Sequence, residues 1–505
     1  MSDPKKNIIK VEHIDVEDPK IKKKNLWFYP LGTVGRDMVY NMFTNFIYLY
    51  ILYTKQLEAD QIVAITAIMV AARVFDAFND PIMGNIIERT RSKWGKFKPW
   101  LLIGVLSTSV VLYLSFNSKL TGWSFVIFFG VIYFLYSITY TMNDISYWGM
   151  VPALSRTSDS RNQFTSRTTL FAGVGGTLAG MLIPMFTAGA LQIGGNASTA
   201  YGVIALIIAI LCPLFILFTL LGVRENRDDM EKPAEKVSFK LIVSTIFGND
   251  QLRWMVLIFL LQQIGNSIVI GGIGANYVYF RYGYEGGLYS LFSTIGVAAT
   301  AFLMLFYPAI SRKLKRKAFM KILCYIASAG YILMIISGLL MPDNMLGFWA
   351  LTIGYMLSAF GMYGFYLIMM ISIFNTVEYN ELKKGRRDEG IITSIRPFIT
   401  KLGSALVVVF TSLCYLIFRV TDYTNQIADF EQQANQGIIK TTEEKNALIE
   451  GVIKNVQPGQ ANGMLLFMTI LPFALLLASY FLYIKFYKLD EEKYAEIVKE
   501  LESRK

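Results

Sequence analysis

The chain reads as an all-α integral membrane protein: twelve transmembrane helices in two six-helix bundles, with both termini in the cytoplasm. Three observations predict this. Of 505 residues, 54% are hydrophobic and only 17% charged, with a mean hydropathy of +0.43. A soluble surface of that size needs more charge. Apolar stretches long enough to cross a bilayer core recur along the whole sequence. Basic residues then crowd alternate connections between those stretches, which is how orientation is written into a membrane chain.

A charged tail over residues 1–30 comes first; it has no apolar core, so no cleavable signal peptide is expected. Spans lie near 31–54, 61–88, 97–116, 122–150, 164–191 and 200–222, forming a bundle over 31–222. A polar cytoplasmic linker, 223–250, runs through Arg224 to Asp250. A second bundle over 251–487 has spans near 251–280, 287–310, 318–340, 345–376, 390–418 and 461–487, and 488–505 is a cytoplasmic tail. Connections 2–3, 4–5, 8–9 and 10–11 are rich in Lys and Arg; the first alone holds Arg89, Arg91, Lys93, Lys96 and Lys98. The five short odd-numbered connections hold three: Lys55, Lys119 and Arg281. The net charge of +11 is therefore a topological signal and not a nucleic-acid footprint. Six plus six with a parallel repeat is the architecture expected of major-facilitator transporters. The outward loop over 421–460 is long, and Thr442–Asn455 within it reads as a solvated surface helix, with a gating or docking element as the alternative. The helix from Asp490 reads as a solvated or membrane-surface appendage.

Some chemistries lose their usual ligands. The single histidine, His13, lies in the charged tail, and Cys212, Cys324 and Cys414 sit apart in apolar segments with no metal or disulfide spacing. No phosphate-cradling Gly-x-x-x-x-Gly-Lys-Ser/Thr run is present. Gly173, Gly175, Gly176 and Gly180 in span 5 read as close helix packing. The run Gly271-Gly-Ile-Gly274 is expected to break span 7 near a cavity.

The informative residues are polar ones inside the spans. In Arg73-Val-Phe-Asp-Ala-Phe-Asn-Asp-Pro-Ile-Met-Gly84, Asp76 and Asp80 are four apart and share a helix face, with Arg73 one turn before. An ionised side chain in the bilayer core costs roughly 3 kcal/mol or more, so such residues mark an ion or substrate path. Carboxylate, amide and hydroxyl oxygens are also the hard ligands that a small alkali cation prefers. Span 1 carries Arg36 and Asp37, then Tyr40, Asn41, Thr44 and Tyr48 along one face. Span 4 repeats the pattern with Tyr140, Thr141, Asp144 and Trp148, and span 11 places Lys401 near mid-bilayer with Arg396 before Pro397. Such stripes suit a polyhydroxylated ligand, and an indole supplies an apolar face for a sugar ring. The structural alternative is that Arg73 only neutralises an aspartate and Lys401 is a counter-charge between bundles.

Asp76-Ala-Phe-Asn-Asp-Pro-Ile-Met-Gly84 continues to Arg89-Thr-Arg-Ser-Lys-Trp-Gly-Lys-Phe-Lys-Pro-Trp100. This joined motif closely resembles the glycoside–pentoside–hexuronide:cation symporter family, to which melibiose permease belongs. Gly35-Arg-Asp37, Asn143-Asp-Ile-Ser-Tyr-Trp148, Asn375-Thr-Val-Glu-Tyr379 and Lys401-Leu-Gly-Ser-Ala405 match it too, so the resemblance covers about residues 25–420 and 460–490. It implies sugar symport driven by Na⁺, Li⁺ or H⁺. Asp76, Asn79, Asp80 and Thr141 match the family's cation site. Asp37 and Asp144 match carboxylates that hold sugar hydroxyls, Trp148 the stacking surface and Arg167 the sugar-site arginine of span 5. Arg36, Tyr40, Thr44 and Tyr140 join that site, and Lys401 with Arg73 couples it to the cation. Tyr366 stands where melibiose permease has a tryptophan, and Arg396 where it has an uncharged amide. Arg396 is expected either to favour an anionic sugar such as a hexuronide or to pair with Glu389.

The expected partners are a sugar or glycoside, a coupling cation and the lipid bilayer, with no nucleic acid and no cofactor. A monomer in the cell (inner) membrane, not an enzyme, is the family expectation. A transporter of lysolipid or another amphiphile is the alternative within the fold, and a polytopic membrane enzyme is the alternative outside it.

Overall fold

The computed structural model describes residues 14–155, 157–226, 239–311, 313–385 and 389–504. The tail with His13, much of the linker and the Glu389 side chain lie outside the described residues. Those described form nineteen α-helices and no strand.

The first helix begins well before residue 31. The Asp18 carboxylate accepts hydrogen bonds from the backbone of Lys20 and Ile21 (3.0 and 3.1 Å), and Pro19 fills the first helical position, where its missing N–H costs nothing. Helix α1 (Pro19–Asn41) widens into a π turn, Met42–Phe46, and continues as α2 (Ile47–Thr54). Next come α3 (Ala59–Arg89), α4 (Lys98–Phe116), α5 (Gly122–Gly149), α6 (Ser158–Thr187) and α7 (Ala197–Gly222). After α8 (Phe239–Gly248), the second half opens in the same way. Here α9 (Asp250–Ile268), a π turn Val269–Ile273 and α10 (Gly274–Tyr282) form one composite helix. Its expected break is thus a widening. Gly272 takes φ 107°, and a side chain there would meet the Tyr415 hydroxyl. Next are α11 (Gly286–Ser311), α12 (Arg316–Leu340), α13 (Met345–Phe374), α14 (Thr376–Lys384) and α15 (Glu389–Ile417). The chain ends with α16 (Val420–Asn435), α17 (Thr442–Lys454), α18 (Pro458–Phe486) and α19 (Glu491–Ser503).

Ten helices among the described residues are long and apolar enough to cross a membrane. The two composite helices, α1–α2 and α9–α10, are not in that set; each is cut by its π turn. Packing reveals a repeat. In the first half α1 lies on α6 and α7, α3 on α5, and α4 on α5 and α7; in the second, α12 and α11 lie on α13, and α9 on α18 and α15. The halves meet through α3 against α15 and α6 against α11. Counting each composite helix as one, these are second-with-fifth and fifth-with-second, the exchange expected of two pseudo-symmetric halves. The two π turns touch each other on the same interface. Ile127, Val131 and Leu135 form an exposed apolar stripe on α5, as a helix facing lipid requires.

Hydrogen bonds between halves crowd the end that carries 421–460. Tyr48 and Thr66 both bond Ser412 (2.9 and 2.6 Å), Tyr53 donates to Asn276 (2.5 Å), and Ser290 donates to the Met181 carbonyl (2.7 Å). Two surface elements expected from sequence each bury one face. The loop is a helical hairpin with a buried interior, because Glu431 and Lys445 are fully enclosed along with Ile427, Ile449 and Val452. The C-terminal helix is a surface helix docked at one end: Arg316 bonds Glu491 (3.0 Å), Lys315 bonds Glu492 (2.6 Å), and Ile497 is buried.

Close packing relies on glycine where backbones meet. A Cβ on Gly330 of α12 would collide with the Ser358 backbone nitrogen and approach the Gly354 carbonyl to 2.6 Å. Gly330→Val is therefore expected to cost about 1–3 kcal/mol, read as a lower unfolding temperature in detergent. Gly451→Ala in α17, where nothing lies within 4 Å, should raise it slightly.

Candidate functional site

Helix α5 organises the site. Ser137, Thr141, Asp144 and Trp148 fall at helical spacing, and each meets a charged group from another element. The Ser137 hydroxyl donates to Asp76, and Thr141 donates to Asp80 (3.1 Å). Asp144 accepts from Arg36 (2.6 Å), and the Arg36 guanidinium lies over the rings of Trp148 (5.3 Å) and Tyr147 (5.0 Å).

Around Asp76 and Asp80 the expected cation-site residues come together. Asp76 is buried, with Arg73 3.8 Å from it, and Arg73 also sits over the Tyr133 ring at 6.0 Å. Asn79 is buried with its amide nitrogen unpartnered. Asp80 is bonded by the Lys401 ammonium, which arrives on α15 from the other half. Both are partly exposed, at 31% and 28%, so a small solute can reach them. Ser137 was not among the expected residues, though its place four before Thr141 on the span 4 stripe marks it.

The second cluster centres on Arg36, which is 3% exposed and bound by two carboxylates. It reaches Asp144 through one nitrogen and Asp37 through two (3.0 and 3.3 Å), while Thr33 donates to Asp37 (2.5 Å). Such charge-assisted bonds hold the guanidinium rigidly. Asp144 keeps 42% of its side chain exposed. Tyr40 packs on Tyr140 (5.5 Å), and Tyr140 stacks on Tyr136 (5.4 Å), forming an aromatic wall beside it.

Three expected positions differ. Thr44 lies inside the π turn with its hydroxyl buried and unpartnered. The extra residue in that turn rotates the helix beyond it, so Tyr48 points to Ser412 of the other half and leaves the Arg36 stripe. Arg167 is not brought to the cluster. It is exposed, donates to the Leu26 carbonyl (3.5 Å) and lies over Trp27 (5.5 Å), more than two turns of α1 away from Arg36. Helix α6 instead presents glycines at that level: Gly175 abuts the Val34 backbone, and Asn41 donates to the Gly176 carbonyl (3.0 Å). Tyr366 and Arg396 belong to the second half, where Tyr366 packs with Phe259 (5.9 Å) and Tyr363 (5.6 Å) and Arg396 is exposed.

With this geometry the comparison with known proteins is direct. The model of a family described as MFS/sugar transport protein matches residues 28–442. The chain belongs to that family. A lactose permease of Lactobacillus helveticus is 28% identical over 399 residues, spanning 74% of this chain and 60% of that permease. The chain thus spans less than two thirds of that relative. A glucuronide carrier protein homolog of Escherichia coli (strain K12) is 24% identical over 491 residues, spanning 94% of this chain and 95% of that protein. These relatives are, by name, sugar and glycoside carriers, and the chain is a multi-pass membrane protein of the MFS/sugar transport family. The crystal structure of a bacterial homolog of the human lysosomal transporter Spinster, inward-facing and unoccupied, superposes with a TM-score of 0.59. It is 14% identical, covering 92% of this chain and 97% of that one, a likeness of fold.

Removing Arg36 leaves two carboxylates facing one another beside apolar rings. Arg36→Met is expected to destabilise this sugar-transport-family protein by roughly 3 kcal/mol, the cost of stripping one partner from a buried charge cluster. Adding Asp144→Asn should recover part of it, read as unfolding temperature in detergent.

Proposed function

We propose that the chain is a symporter, coupling a glycoside, pentoside or hexuronide to Na⁺, Li⁺ or H⁺ by alternating access. In this reading it crosses the cell membrane twelve times as a monomer, the composite helices being the first and seventh spans, with both termini cytoplasmic. One observation carries the coupling. Thr141, at the Asp80 carboxylate, and Asp144, at the Arg36 cluster, are a single turn apart on α5. Whatever binds at one cluster is felt at the other through a rigid helix.

The cycle follows from charge. Lys401 holds Asp80 from the opposite half, at the carboxylate where a cation would bind. A cation coordinated by Asp76, Asp80, Thr141 and the Asn79 amide oxygen competes with that ammonium and frees the tie between halves. Sugar hydroxyls take the exposed Asp144 and the Asp37 carboxylate, and the Trp148 ring offers a stacking face. Coupling is reciprocal: if the cation tightens sugar binding, sugar tightens cation binding by the same factor. Arg36 is fully engaged with its own carboxylates, so an anionic sugar would need another cation. The exposed Arg396 guanidinium, five residues before Lys401, is the group that supports a hexuronide.

The test is uptake of labelled glycosides, uronides included, into vesicles under an imposed sodium or proton gradient. Accumulation should collapse with the gradient; its absence with every sugar would favour an amphiphile cargo. Neutral pentosides outcompeting uronides would overturn the role of Arg396. Asp80→Cys should leave a folded protein that has lost sodium-stimulated sugar binding, and unchanged stimulation would remove Asp80 from the cation site.

A further inference from the structure

The hairpin of α16 and α17 is covalently part of the second half, since it links α15 to α18, and α17 touches α10 there, yet α16 is seated on the first half. Helix α16 packs on α2 and α7. Gln56 donates to Asp429 (2.7 Å), Gln432 donates to the Thr54 carbonyl (3.0 Å), and Asn425 exchanges two hydrogen bonds with the Leu57 backbone (2.8 and 3.2 Å). Thr199 of α7 reaches Asn435 (3.3 Å).

Beneath these contacts lies a fully buried ion pair, Glu431 and Lys445, one residue from each hairpin helix (3.1 Å). Its remaining bonds go to the α6–α7 connection of the first half. Glu431 accepts from the Ala197 backbone (2.7 Å) and from Gln192 (3.2 Å), and Lys445 donates to Gln192 and to the Gly195 carbonyl (2.9 Å). An enclosed pair survives only with each charge matched and its other bonds made. Here the first half completes that set. Lifting the hairpin away would leave Glu431 and Lys445 without it, so this seat has a sharp energetic preference for one position.

The connection into the hairpin is also unusual. Arg419, between α15 and α16, has φ 52°, and it is the one non-glycine residue with positive φ among those described. A left-handed arginine is a sparsely populated backbone state, and such states persist only where the surrounding structure holds them.

We propose that the α16–α17 hairpin is a strap that locks the halves together at this end, with the Glu431–Lys445 pair as its latch. It opens when α2 and the α6–α7 connection withdraw from the hairpin during alternating access. Other contacts at the same end, around Ser412, then part with it. The inference uses the family's alternating access and does not depend on the identity of sugar or cation.

The test uses the full chain in lipid nanodiscs, with Ser412→Cys as a reporter of the seam and a maleimide dye as the probe. The native cysteines are buried and set the background. Glu431→Gln, nearly isosteric, strands the Lys445 charge and is expected to speed labelling about tenfold by shifting the population toward the open seam. Labelling at the parent rate overturns the proposal. Because a faster rate could also come from a loosened fold, a second variant adds Gln56→Cys and Asp429→Cys to the reporter. Mild oxidation is expected to join these two and to slow labelling at position 412, read on its own peptide by mass spectrometry, about tenfold relative to the same protein after reduction. Equal rates before and after reduction, or failure of the two cysteines to join, overturns it.

Discussion

Charge inside an apolar fold has to be matched, and here the matching is spread across helices that are far apart in sequence. Arg36 serves Asp37 and Asp144, Arg73 stands by Asp76, and Lys401 serves Asp80 from the other half. The buried groups, Arg36 and Asp76, depend on their partners for solvation, while Asp80, Lys401 and Asp144 keep part of their surface open. Under the proposed function, such an arrangement ties helix positions to ligand occupancy: a cation or hydroxyl at one carboxylate would release a protein group that must find somewhere else to go.

Helix α5 is where the two demands meet. Its stripe from Ser137 to Trp148 touches α3 at one end and α1 at the other, so the Asp76–Asp80 cluster and the Arg36 cluster share a scaffold one turn apart. The tie between halves is then of two kinds. Near the middle it is the Asp80–Lys401 pair, which is partly exposed and open to competition from solute. At the end with the hairpin it is a dense set of buried contacts, including an ion pair that no solute reaches. In the proposed cycle, ligand acts on the first kind and the rocking of the halves breaks the second.

The π turns make the same point about backbone. Each half begins with a helix that widens at its midpoint, and the two wide turns meet on the interface. A π turn adds a residue and rotates everything beyond it, and such turns recur at functional sites. That rotation sends Tyr48 to the seam between halves, while Arg36 and Asp37, which precede it, stay on the α5 side.

The amino-acid sequence by itself determined what depends on local periodicity and composition: the membrane class, most helix positions, the shared face of Arg73, Asp76 and Asp80, and the stripe on span 4. A 3.6-residue repeat needs no partner to be read. Even Ser137 was within reach of that logic. What depends on the offset between helices was decided only by tertiary structure. Arg167 looked suitable by type and by approximate register, but the Gly175–Val34 contact sets how far α6 slides along α1 and leaves the arginine beside Trp27. The hairpin shows the same division. Its second helix was expected over Thr442–Asn455 and is found over Thr442–Lys454, but nothing local pairs Glu431 with Lys445 or seats both on Gln192 and Ala197. Partners across separate elements are chosen by packing, and packing is a property of the assembled fold.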